Sequence, residues 1–450
     1  MKSIQKYILA VGSLSFLLAS CNKNGDQKPV SKGDADFTKY VAIGNSLTAG
    51  YADNALYYDG QMVSYPNLIA TQFKQVGGGA FKQPLVDPSS VGIGGSLNAR
   101  LILKVVNGSL APVAAAPMGD LTIFTNSVAS QGPFNNMGVA GAKVTTAVFP
   151  GYGNSANGMG NFNPFFTRMT TQPTTASMLG DAVAQQPTFF SVFLGNNDVL
   201  GYATGGGVGD VITPMDGPAG VGFEASYKAV LDGFTQNGAK GVLLNIPDVT
   251  SAPFFTTIPF NGLVLSRQGQ ADSLNAAYAP LISAGLVSQF KVGPNGFIIA
   301  DAGVTGGRRQ MKAGELVLLS TPQDSLRNAG WGSIKPIADQ YVLTTTEVGN
   351  ITIAKNNFNQ KIKNFADDKG LAYVDVDGFL KNAKEHGVEV NGRRFTTTFV
   401  TGGIFSLDGI HLTPMGNVLL ANETIKAINS KYNAFVPHVD PSTYGGVKFP

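Results

Sequence analysis

Three side-chain types in this sequence can together build a nucleophile: a hydroxyl, an imidazole and a carboxylate. The hydroxyl is Ser46, in the stretch VAIGNSLTAGYADN over residues 41–54, where an apolar run stops at Gly-Asn-Ser and the chain turns small and polar. Such a stop is either an ordinary turn or a serine presented at a strand end. A serine there is a poor nucleophile until a base takes its proton. Of the three histidines, His386 lies in the polar stretch AKEHGVEV and reads as a surface residue, while His438 lies in a proline-containing tail. His411 follows Asp408 by three residues in FSLDGIHLTPMGN, just ahead of a helix N-cap. On a tight turn, an acid at that spacing can hold one ring nitrogen and leave the other free as a base. Alone, Asp-x-x-His also reads as two loop residues with no shared role.

Two further blocks lie between them: NNMGVAGAKV (135–144) and FLGNNDV (193–199). Asn-Asn-Asp by itself is good turn sequence. Taken in order, GNSLTAG, NNMGVAGAKV, FLGNNDV and DGIHLTP resemble the four blocks of the SGNH (GDSL-type) hydrolase family. The resemblance spans most of residues 40–430, with the spacing stretched by insertions. It implies Ser46 as nucleophile, Asp408 and His411 as the rest of a triad, and an oxyanion hole made by Ser46, Gly141 and Asn197. Gly138 stands near enough to Gly141 to be the alternative donor. The first block departs from the family's Gly-Asp-Ser-Leu, because Asn45 keeps the size and hydrogen bonding of Asp without its charge. The implied activity is hydrolysis of carboxylic esters through an acyl-enzyme, with no cofactor. The family covers lipases, thioesterases and carbohydrate deacetylases.

The elements that must position these residues read as alternating strands and helices. YVAIG (40–44), PTFFSVFLG (187–195), KGVLLNIPD (240–248) and LAYVDVDGF (371–379) are apolar runs of the kind buried on both faces of a parallel sheet. FEASYKAVLDGFTQNG predicts a helix closing at Gly238. AKNNFNQKIKNFADDKG puts Ala354, Phe358, Ile362 and Phe365 on one face and stops at Gly370. The last helix takes Thr413 as N-cap and Pro414 in its first turn, with Val418, Ala421, Ile425 and Ile428 on a face. The expected fold is therefore α/β, a three-layer sandwich with a central parallel sheet and long insertions. Ligands collect at the carboxyl ends of such strands. Ser46, Gly141 (after the shorter run ending at Val139) and Asn197 all fall on that rim. A glycine at 141 permits close approach of backbone to ligand.

Long Gly-, Asn- and Phe-rich stretches (52–130, 146–178, 201–222 and about 255–340) read as elaborations on one core. The last contains a helix pattern in SRQGQADSLNAAYAPL and strand-like FIIADAG and ELVLLS. GYATGGGVGD lacks the spacing of a phosphate-binding loop and reads as a mobile loop. The phenylalanines of NPFFTRM and SAPFFTTIPFNGLVL either line an acyl pocket or simply fill the core.

The composition is globular: 450 residues, 43% hydrophobic and 14% charged. MKSIQKYILAVGSLSFLLAS (1–20) reads as a signal peptide and Cys21 as the lipidated residue of a bacterial lipobox. Residues 21–36 then form a flexible tether, 37–435 the hydrolase-like domain and 436–450 a tail. Cys21 is the only cysteine, which excludes disulfides within the chain, cysteine-ligated metals and a thiol nucleophile. No two histidines are spaced for a metal, and none is expected. Removing residues 1–20 takes away two lysines and no acid, lowering the net charge from +3 to +1, so there is no basic footprint for nucleic acid. The expected setting is the bacterial cell envelope, lipid-anchored; Asn22 in place of Asp points to the outer membrane. The expected partners are a membrane, through the anchor, and an ester, either lipid or acylated glycan. Three functions stay open: a serine esterase or lipase, a carbohydrate O-acetyl esterase, and a non-catalytic binding lipoprotein on the same scaffold.

Overall fold

The computed structural model describes residues 29–106, 108–158 and 160–450; the leader and Cys21, expected to be lipidated, lie outside them. Five strands form the central sheet: β1 (Tyr40–Gly44), β2 (Asn136–Gly138), β3 (Phe189–Phe193), β4 (Lys240–Leu244) and β5 (Ala372–Val374). Their order is β5-β4-β3-β1-β2, and every neighbouring pair is parallel. All residues of β1 and β3 are buried. A strand covered on both faces needs no polar alternation, so these segments are unbroken apolar runs.

The helices used below are α1 (Ser46–Ala49), α2 (Tyr65–Phe73), α3 (Asn197–Thr204), α4 (Phe223–Thr235), α5 (Thr345–Asp368) and α6 (Pro414–Tyr432). Helices α2 and α6 pack on each other, and α4 packs on α5; both α5 and α6 also lie against β4 and β5. The result is an α/β fold with a central parallel sheet flanked by helices, compatible with a three-layer sandwich. Helix α6 starts where its sequence says: Thr413 Oγ1 accepts from Gly416 N at 3.0 Å, and Val418, Ala421, Ile425 and Ile428 are buried.

Several elements differ from the sequence pattern for local reasons. The run LAYVDVDGF is a strand only to Val374. Asp375 then accepts from Gly378 N at 2.9 Å and caps a helix over Val376–Glu385, a local bond that competes with the sheet ladder. Helix α5 begins nine residues before Ala354, because Thr344 and Glu347 form a capping box. Its buried face is Ile351, Lys355, Phe358, Ile362 and Ala366, with Ala354 and Phe365 half-buried at the flank. Lys355 hides in that face by pairing with Asp377 at 2.6 Å. The stretch GYATGGGVGD is helical at its start, where Gly201–Thr204 complete α3. Within 52–130 the structure adds α2 and an antiparallel hairpin, Leu101–Val106 with Ser109–Ala114.

Within the segment read as a tether, Ser31 pairs with Phe435 and Ala35 is buried; Val436 and Val439 join the main core. The 255–340 stretch contains two hydrophobic clusters of its own, one around Leu274, Phe290 and Ile298, the other around Phe297, Ile299 and Ile337. Among the described residues no helix is long and apolar enough to cross a membrane.

Candidate active site

The carboxyl ends of β1, β2 and β3 bring the first three sequence blocks to one rim. Gly44 at the end of β1 pairs with Gly138 of β2 and Phe193 of β3. Asn45 follows, almost fully buried, and its Oδ1 accepts from Leu47 N at 3.0 Å, capping α1. Asn caps as well as Asp, so this position keeps the turn without burying a charge. Ser46 opens α1. Among the described residues neither its hydroxyl nor its N–H makes a hydrogen bond, although the side chain is mostly buried.

The two candidate glycines behave differently. Gly138 lies in β2; its N–H donates to Asn136 Oδ1 at 3.0 Å, and a Cβ there would run into the backbone of Thr48 and Ala49. Gly141 sits in the loop after β2 with φ +82°, exposed, and a Cβ would meet only Asn163 Nδ2 at 3.7 Å. Among the described residues the Gly141 N–H has no partner. Asn197 begins α3, and its Nδ2 donates to Ala142 O at 2.9 Å, leaving its second N–H free of this bond. The next residue, Asp198, is fully buried and accepts from Val144 N at 2.9 Å. Two successive residues of α3 therefore clamp the segment just after Gly141. Burial pushes the Asp198 carboxyl up to about 6, against the pull of Val144 N–H, Thr213 and Lys143.

The fourth block comes from the turn before α6. His411 Nδ1 lies 2.7 Å from Asp408 Oδ2, and both side chains are nearly buried. Asp408 Oδ1 accepts from the N–H groups of Ile410 and His411 at 2.9 Å each, and from Ser406 Oγ at 3.1 Å. Burial alone would raise the Asp408 pKa. The His411 charge and ring bond, together with those backbone donors, outweigh it and hold the carboxyl well below the usual carboxylate range. An ionised carboxylate only accepts, so His411 Nδ1 carries a proton towards Asp408, and in the neutral form of the ring Nε2 presents the lone pair. Tyr51 packs on the imidazole, ring centroids 4.7 Å apart.

Ser46, Asn197 and His411 line one cavity of about 820 Å³, open mouth included. No hydrogen bond joins Ser46 Oγ to His411 Nε2 among the described residues; such contacts commonly tighten only when substrate is bound. The remaining wall is largely apolar, with Leu47, Phe193, Leu200, Val249, Phe379 and Phe405. Gly141 is outside this lining. The phenylalanines of NPFFTRM and SAPFFTTIPFNGLVL do not reach the cavity. Phe165 packs near Tyr51, and Phe255 is fully buried in the main core. His386 and His438 are exposed.

The sequence reading missed the residues that hold Asp408 from the other side. Asn54 N donates to Asp408 Oδ2 at 2.8 Å, and Asp53 Oδ1 accepts from Leu407 N at 3.0 Å. Their only signal was composition: Asp and Asn are the non-glycine residues that best tolerate left-handed backbone. The residue just ahead of the insertion also touches this turn, Phe254 N donating to Gly409 O at 3.0 Å.

No family model matches the chain, and no curated protein matches it. Among solved structures it aligns with a protein of Parabacteroides merdae described as a "putative GDSL-like lipase", at 12% identity and a TM-score of 0.33, over 89% of this chain and 99% of that one. A likeness that loose adds no weight to the geometry above.

Proposed function

We propose that the chain is a serine hydrolase of carboxylic esters, with Ser46 as nucleophile, His411 as base and Asp408 as the acid that orients it. The observation that carries this is one apolar cavity lined by a free serine hydroxyl and by an imidazole whose far nitrogen is held by a buried carboxylate. In this reading Ser46 Oγ attacks the ester carbonyl carbon while His411 Nε2 takes its proton. The tetrahedral oxyanion is met by the N–H groups of Ser46 and Gly141 and by Asn197 Nδ2. His411 returns the proton to the leaving alcohol, and water then releases the acyl group by the same steps in reverse order.

The apolar wall supports acyl esters with a hydrocarbon tail over acetylated glycans, since an acetyl group leaves most of that surface without a partner. Placement in the bacterial envelope through a lipidated Cys21 belongs to the same proposal and rests on the sequence of the leader alone.

The test is a panel of acyl-ester chain lengths and acetylated glycans, run on wild type and Ser46→Ala. Hydrolysis of medium or long acyl esters, lost at least about 10³-fold in the variant, supports the reading. Turnover unchanged by Ser46→Ala overturns it, and activity confined to acetylated glycans replaces the substrate class.

A further inference from the structure

The chain leaving α1 enters the left-handed region twice in succession without a glycine: Asp53 has φ 51° and Asn54 φ 62°. Such backbone is strained for a residue with a Cβ, less so for these two residue types than for most. The strained turn aims two N–H groups at the acid-bearing loop. Asn54 N donates to Asp408 Oδ2 at 2.8 Å, and Asp53 N donates to Ser406 Oγ at 3.0 Å. Ser406 Oγ in turn donates to Asp408 Oδ1 at 3.1 Å. The Asp53 carboxylate closes the bracket, accepting from Leu407 N at 3.0 Å through Oδ1 and from Tyr57 Oη at 2.7 Å through Oδ2. Tyr57 is itself covered by the Arg100 guanidinium, 4.9 Å from the ring centroid. Residues 406, 407 and 408 are thus each bonded to the pair 53–54.

We infer that Asp53 is a positioning residue for the acid–base pair: it ties the Asp408 loop to the segment that follows Ser46, and so fixes the direction in which His411 presents its base. This rests on the triad reading above. Asp408 and His411 sit on an irregular turn, where regular secondary structure does not fix the backbone. Without a tie, thermal displacement of that turn would move Nε2 relative to Ser46 Oγ, and about 1 Å of misplacement costs about 10²-fold in rate. A carboxylate suits the tie because two donors arrive on separate oxygens. Asparagine keeps an acceptor for Leu407 N, and its NH₂ can donate to a rotated Tyr57 hydroxyl; alanine leaves both donors without a partner.

The test uses the full-length protein and an ester that wild type hydrolyses, with Ser46→Ala, Asp53→Ala, Asp53→Asn and Tyr57→Phe. Asp53→Ala should lower kcat about 10–100-fold with KM within about twofold. Asp53→Asn should recover kcat to within about fivefold of wild type. Tyr57→Phe, which removes one bond and spares Leu407, should show a smaller loss of about two- to fivefold with the same split. The inference is overturned by unchanged kcat in Asp53→Ala, by a loss confined to KM, or by an Asn variant no better than Ala. Should Asp53→Ala fail to fold by circular dichroism, Tyr57→Phe decides: reduced kcat at constant KM supports the inference and unchanged kcat overturns it. Activity that survives Ser46→Ala brings down the triad reading itself. Activity lost in Ser46→Ala but intact in Asp53→Ala removes this inference alone.

Discussion

Asn197 Nδ2 donates to the carbonyl oxygen of Ala142 at 2.9 Å, which ties the start of α3 to the residue directly after Gly141. Asp198 reinforces the tie through Val144 N. The loop that carries the Gly141 N–H, which has no partner among the described residues, is therefore fixed from the carboxyl end of β3, across β1, as a preorganised donor requires.

That arrangement separates the two glycines. At Gly141 an added methyl has room but the backbone has φ +82°, so Gly141→Ala should cost about 1–2 kcal/mol of stability. Its larger effect should be on turnover, about 10²-fold or more as the N–H is displaced. Gly138→Ala pushes into the backbone of α1 and should lower stability by about 3 kcal/mol. Denaturant melts beside kcat measurements check both; a Gly141→Ala enzyme with normal kcat would remove that N–H from the oxyanion hole.

Asp408→Asn should be severe in two ways. The carboxylate accepts from five donors: Asn54 N, Ser406 Oγ, Ile410 N, His411 N and His411 Nδ1. An amide must point its NH₂ at some of them. Stability should drop by about 1–3 kcal/mol, and kcat by about 10⁴-fold because His411 loses the partner that fixes its tautomer. Near-normal turnover in a folded Asp408→Asn protein would mean that Asp408 does not orient the base.

The buried carboxyls give stability a definite pH dependence. Asp198 is raised to about 6 in the folded chain from about 3.9 unfolded. The folded state therefore binds the proton more tightly. Its contribution is full below about pH 4, falls as pH rises through 6, and amounts to about 2–3 kcal/mol. Asp408 has the opposite sign: its carboxyl is held low, so its contribution is present above about pH 4 and is lost as pH falls toward the folded value. Urea melts should show a decline between pH 4 and 7, and Asp198→Asn should flatten it. A slope unchanged in that variant would assign the decline to another group.

The insertion has its own charged core. Arg309 bonds Asp301 Oδ2 through Nε at 2.6 Å and grips both oxygens of the buried Glu315 at 2.7 and 2.9 Å. Removing one partner of a buried pair costs about 3–5 kcal/mol. Since the insertion's clusters are distinct from the main core, Arg309→Ala should speed hydrogen exchange across 263–337 before it does so in β1 and β3. Uniform acceleration over both regions would show that the two melt as one unit.

Much of the scaffold was legible because burial on both faces of a sheet leaves a plain mark. β1 matches YVAIG residue for residue, and β3 and β4 lie within their apolar runs. The contact of His411 with Asp408 was legible because it is local, three residues apart. The bracket from Asp53 and Asn54 was not, since those bonds join positions 354 residues apart and leave no periodic trace. Lys355 misled the face of α5 because a paired lysine occupies a core position. The phenylalanine-rich stretches show a different limit: residue type announces burial but not which wall the ring will face.

β1 is threaded between β3 and β2 rather than set at an edge, and in the proposed triad the Ser46 hydroxyl just after it waits on a turn, around Asp408 and His411, that the ribosome delivers far later. During synthesis the emerging polypeptide holds an alcohol with no imidazole to awaken it. In the proposed triad, chemical competence arrives only once the segment around residue 411 docks.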